Sequence, residues 1–207
     1  MATTSKAEDE HNFYDTLSHF PPVINGRINM VQFLEASSGL VSLVERLGTL
    51  FAPVKYDMQG NIDKIRKFYN FDKNTCLLEL MITESTKGNC GHESVLWLNR
   101  ALLFFELVFQ EIIACLKLNN HDSGMKKIFS VAYEGSVKKY HNWVTQQIFT
   151  FICKMSPTLP QMLKALDVED GKEFEPKLTN YNIKLHLVRC KIDDCFKENN
   201  SLFGESK

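Results

Sequence analysis

Three groups of side chains carry the residue types and spacing that chemistry would need. Asp57, Asn61 and Lys64 fall at i, i+4 and i+7. On a helix they share one face over two turns, aligning an acceptor, an amide and a cation. This is a hydrogen-bonding strip; its plainer alternative is a solvated face that only aids solubility. Trp97, Arg100 and Phe104 share a second face and set an aromatic plate beside a cation, although Trp97 taken alone reads as core. The run Lys138-Lys139-Tyr140-His141-Asn142-Trp143 mixes polar and aromatic groups inside a segment that otherwise reads as a packed helix. A lone His there is usually structural. An exposed Trp there suits the headgroup zone of a membrane, where an indole keeps its N–H wet.

The signatures of catalysis are missing. No H-E-x-x-H and no paired C-x-x-C occurs, so metal catalysis has no support. A di-iron bundle needs two inward-facing E-x-x-H pairs, and Glu8 to His11 is the only one. The chain also lacks a G-x-S-x-G elbow, a P-loop and a dinucleotide fingerprint, and no cofactor is expected. Lys+Arg number 24 against 25 Asp+Glu, a formal net charge of −1, which argues against a nucleic-acid partner. No stretch approaches the ~18 consecutive apolar residues of a membrane span. The polar, acidic start has no apolar signal centre and the end no lipidation signature, so a cytoplasmic protein is expected. Cys76, Cys90, Cys115, Cys153, Cys190 and Cys195 form no dense framework and read as reduced; the Asn199-Asn200-Ser201 sequon matters only for an extracellular protein.

The elements that must position these groups are helices. With 207 residues, 44% of them hydrophobic, the chain suits one domain, and apolar residues recur every three or four positions after a polar tail. The expectation is an all-α fold of about eight helices: a flexible tail over residues 1–12 and a single domain over 13–207. The pattern predicts helices from Asn29 to Gly48, from just after Pro53 to about 70, over 73–86, over 92–117, from 124 to about 155, over 159–166 and over 177–199. The charged, Gly-containing residues 167–176 are the expected mobile loop. Gly60, inside the second helix, marks either a close approach or a tolerated glycine. No internal repeat is visible.

The blocks FAPVKYDMQGNIDKIRKFY from Phe51, VLWLNRALLFFELVFQ from Val95 and VKKYHNWVTQQIF from Val137, in that order, resemble the glycolipid transfer protein family. Supporting similarity in FLEASSGLVSLVERLG extends the resemblance over most of residues 29–166. The combination D-x-x-x-N-x-x-K, W-L-x-R and Y-H-x-W is what makes it specific.

The resemblance implies a two-layer helical sandwich that binds one glycosphingolipid and makes or breaks no bond. Carried over residue by residue, Asp57 and Asn61 bind sugar hydroxyls, Lys64 adds a polar contact, Trp97 stacks on the first sugar ring, and His141 binds the ceramide amide region. Phe33, Phe104 and Phe149 match positions lining the acyl-chain pocket, although a plain core helix would carry the same residues. Trp143 matches a membrane-contact tryptophan, with Lys138 and Lys139 assisting, for a transient membrane surface and a monomeric protein. In the branch that carries phosphorylated ceramide, cations replace the amide and the plate. Asn61 and Trp97 therefore favour sugar, while Lys64, Arg66, Lys67 and Arg100 keep a ceramide-1-phosphate carrier as the alternative. Two departures stand out: Glu93 lies where an apolar residue is common, and the end, ENNSLFGESK, lacks the family's terminal aromatic closure. The leading function is a glycosphingolipid carrier of the glucosyl- or galactosylceramide type. A glycolipid sensor or adaptor with little net transfer competes with it, as does a hydrolase built on Asp57 and His141. The hydrolase lacks a nucleophile, since no motif sets a Ser or Cys beside His141.

Overall fold

The computed structural model describes residues 13–120 and 124–204; the polar tail expected over residues 1–12 lies outside them. Among the described residues there is no β-strand, and helices α1 Met30–Arg46, α2 Ala52–Phe68, α3 Leu77–Ser85 and α4 Gly91–Lys117 lead into α5 Met125–Gly135 and α6 Trp143–Met155. Then follow α7 Leu159–Ala165, α8 Gly171–Glu198 and the short α9 Asn200–Phe203. The caps explain most of the boundaries. Asn29 accepts from the Gln32 backbone N–H and opens α1; Pro53 stands in the first turn of α2, where its missing N–H costs nothing; Thr158 and Gln161 close a capping box on α7. Gly48, at φ 97°, takes the left-handed conformation that lets the chain turn between α1 and α2.

Two predicted elements are corrected. The single helix expected from 124 to 155 is two, because α5 stops at Gly135 and Ser136 leaves helical geometry at φ −124°, ψ −95°. A 3₁₀ turn, Lys138–Tyr140, follows, and Asn142 then caps α6 by accepting from the Thr145 backbone N–H at 2.9 Å. Gln146 Nε2 donates to the carbonyls of Lys138 at 3.2 Å and His141 at 2.9 Å, so the interruption has hydrogen-bond partners of its own. The second correction concerns residues 167–176. The Asp170 side chain accepts from the Lys172 N–H at 2.7 Å and starts α8 at Gly171, so most of the expected loop is helical, with Pro176 inside the helix.

The long α4 is the axis, packed by α8, α2, α5 and α3, with α1 lying on α2. Between α4 and α8 the core is polar. Glu106, buried on α4, takes Arg189 Nε and, at 2.7 Å, His186 Nδ1; Arg189 also reaches Asp193, which accepts from Asn99 Nδ2 at 2.7 Å. Such a buried pair is close to neutral when whole and costly when one partner is removed. In the C-terminal segment Phe203 stacks on His92 in the first turn of α4, centroids 4.9 Å apart, and packs on Phe196. Gly60 has no neighbour within 4 Å of where a Cβ would stand, so no packing contact requires it. All six cysteines are free, and Cys90 is the exposed one.

Candidate functional site

A cavity of about 250 Å³ lies among α2, α4, the 136–142 segment and α6. Asp57, His141 and Thr145 are its polar lining residues, and the rest of its wall is apolar, Phe104 and Phe149 included. Four residues singled out in the sequence therefore meet in one place. The two Phe rings touch edge to face at 5.3 Å, and Phe149 is stacked on Tyr133 at 3.9 Å with the planes 8° apart. Ile148 lines the cavity while remaining 47% exposed, so α6 forms its wall and part of the outer surface at once.

Helix periodicity sets the rest of the site. Asn61 and Lys64 continue from Asp57 along α2, away from the cavity residues Pro53 and Val54. Asn61 is buried and its Nδ2 donates to the Asp57 carbonyl at 2.9 Å, whereas Lys64 is exposed. On α4, Trp97 precedes the cavity residues Ala101 and Phe104 by four and seven positions on the same face. It is half-buried, edge to face with Tyr140 at 5.9 Å. Phe33 is different: fully buried on α1 and packed near Phe20, it does not line the cavity. Trp143 begins α6 and is 72% exposed, beside the exposed Val144, Phe151 and Met155. Lys138 pairs with Glu134 at 2.8 Å and Lys139 lies over the Tyr140 ring; Glu93 is exposed.

The two titrating groups act on each other. Burial raises the Asp57 pKa, opposed by the charges of His141 and Lys64; burial lowers that of His141, opposed by Asp57. Tyr133, which the sequence reading missed, sits 2.9 Å from His141 Nδ1, and burial pushes its hydroxyl up to about 12, so it stays protonated. Tyr133 lies eight residues before His141, across the interruption that periodicity did not show, so nothing local could pair them. Among the described residues no His, Cys, Asp and Glu group is arranged to hold a metal ion.

The family model described as Glycolipid transfer protein (GLTP) matches residues 28–168, a span that contains every residue of this site. The chain belongs to the glycolipid transfer protein family. It is 32% identical over 165 residues to the glycolipid transfer protein of Danio rerio, covering 75% of this chain and 78% of that one. In three dimensions it is similar to the structure that shows how FAPP2 selects simple glycosphingolipids using the GLTP fold, with a TM-score of 0.82, 22% identity and coverage of 95% and 99%. It is also similar to human ceramide-1-phosphate transfer protein in complex with 12:0 ceramide-1-phosphate, with a TM-score of 0.72, 19% identity and coverage of 86% and 90%. Those two likenesses establish the all-α, two-layer sandwich of the glycolipid transfer protein family and leave the headgroup to the residues of the site.

Proposed function

We propose that the protein is a non-enzymatic carrier that takes a glycosphingolipid of the glucosyl- or galactosylceramide type from one membrane and releases it at another. The observation that carries this is a cavity in which an apolar, Phe-lined wall meets Asp57 and His141. Acyl chains removed from water contribute about 0.8 kcal/mol per CH₂, and the polar end selects what the chains are attached to. Asp57 accepts from the amide N–H and sugar hydroxyls. In the tautomer whose Nδ1 accepts from the Tyr133 hydroxyl 2.9 Å away, His141 offers Nε2–H as the donor for the ceramide carbonyl. Asn61 and Lys64 extend the strip along the sugar, and Trp97 offers a flat apolar surface to its C–H face.

The headgroup reading rests on Asn61 and Trp97, which stand where a phosphate would want charge-assisted donors. The names and titles that similar proteins carry, glycolipid transfer protein and selector of simple glycosphingolipids, agree with it. Membrane contact is assigned to Trp143 and the exposed apolar residues that follow it on α6, which suits docking that is brief and reversible. No described helix is long and apolar enough to cross a membrane. The working unit is one domain over residues 13–207, acting as a monomer.

Transfer of fluorescent galactosylceramide between phosphatidylcholine vesicles tests the proposal, with ceramide-1-phosphate and phosphatidylcholine as rival cargoes. Selective movement of the sugar lipid is expected. Preference for ceramide-1-phosphate would overturn the headgroup assignment, and tight binding without release would leave a sensor. Asp57→Val should abolish sugar-lipid transfer with a melting temperature no lower than wild type; a folded variant that still transfers removes Asp57 from the site.

A further inference from the structure

Arg100 is a cation in the place where a phosphate reading would look for one, yet it is only 7% exposed. Its guanidinium carbon lies 3.6 Å from the Tyr140 ring centroid and 4.7 Å from that of Trp97, while the two rings meet edge to face, 79° apart. Burial lowers its pKa, and a hydrogen bond to Tyr140 together with the charges of Tyr140 and Asp193 acts the other way. Asp193 in turn is held on α8 by Asn99 and Arg189. Tyr140 ends the 3₁₀ turn and is followed directly by His141. One side chain thus touches the plate on α4 and the turn that presents His141, and feels the charge of Asp193 on α8. A guanidinium suits this because its plane stacks on rings while its edge donates in a fixed fork, which an ammonium cannot imitate.

The geometry points to Arg100 as the positioning residue of the headgroup site: it fixes the Trp97 indole and the His141 turn as one rigid unit and thereby selects a sugar ring. This inference rests on the carrier reading above. Arg100 touches no cargo in this scheme; it sets the distance between the surface that stacks on the sugar and the imidazole that meets the amide. Its faces are covered by aromatic rings and it is hydrogen-bonded to Tyr140, which commits it to the framework of the site.

The test uses the full chain. Arg100→Lys keeps the charge toward Asp193 and removes the plane; Tyr140→Leu, at a half-buried position, removes the stacked ring without altering α4. Each variant is measured for galactosylceramide transfer, for its melting curve, and for the fluorine spectrum of protein labelled with 5-fluorotryptophan, in which Trp97 and Trp143 are the only reporters. The expected result is a cooperative melt close to wild type, a Trp97 resonance that broadens or moves, and transfer reduced about tenfold or more. Wild-type transfer by Arg100→Lys with an unmoved Trp97 signal would overturn the inference. So would a loss of transfer, in both variants, no larger than the loss of folded protein. A wild-type protein that moves no glycolipid at all would instead overturn the carrier reading, and this inference with it.

Discussion

Asp57 and His141 hold their protons under opposite shifts, and the signs give separate expectations. A carboxyl raised above its ordinary 3.8 binds more protons folded than unfolded, so its ionisation removes stability as pH rises between 3.8 and the raised value. An imidazole lowered from 6.5 binds fewer, so stability is lost as pH falls below 6.5 toward the lowered value. Because cargo needs the ionised carboxylate, galactosylceramide binding should fall on acidification with a midpoint above pH 3.8; equilibrium binding that stays flat down to that pH would contradict it. Tyr133→Phe keeps the stack on Phe149 and removes the partner of His141 Nδ1, a loss of about 1 kcal/mol, or roughly fivefold in transfer. The polar strip on α2 was legible in the sequence because its spacing is local. Phe33 shows the limit: the apolar period that suggests a pocket is the same period that builds a core, and only packing separated it from Phe104 and Phe149.

At the scale of elements, helix starts were readable wherever a cap carried them, as at Asn29 and Thr158. Asn142 is a cap of equal quality inside a strongly periodic run, and there the run hid it. That missed boundary has functional weight, since the break presents both Tyr140 and His141. Asn142→Ala should cost about 1 kcal/mol of stability, read by denaturant titration. The start of α4 offers a sharper case: a Cβ on Gly91 would stand 2.6 Å from the buried Tyr69 ring. Gly91→Ala should therefore destabilise by about 1–3 kcal/mol, and a melting temperature equal to wild type would show that the ring moves aside freely.

At the scale of the molecule, the sequence placed a helix over 92–117 but did not show that two polar residues on it, Asn99 and Glu106, meet partners 94 and 83 residues later on α8. Long-range pairing of that kind has no periodic signature. Glu106→Ala would leave the buried Arg189 with Asp193 as its remaining carboxylate, and a loss of about 1.5–3 kcal/mol is expected in a denaturation experiment. Trp143→Ala, at an exposed position, should leave that measurement unchanged and weaken vesicle association. Cys90 offers a last consequence. As the one exposed thiol, it would take a maleimide dye ahead of the other five, and it precedes Trp97 by seven residues at the head of the same helix. A fluorophore placed there could be excited through the indole, turning the chain, without any substitution, into its own optical gauge of cargo arriving at the plate.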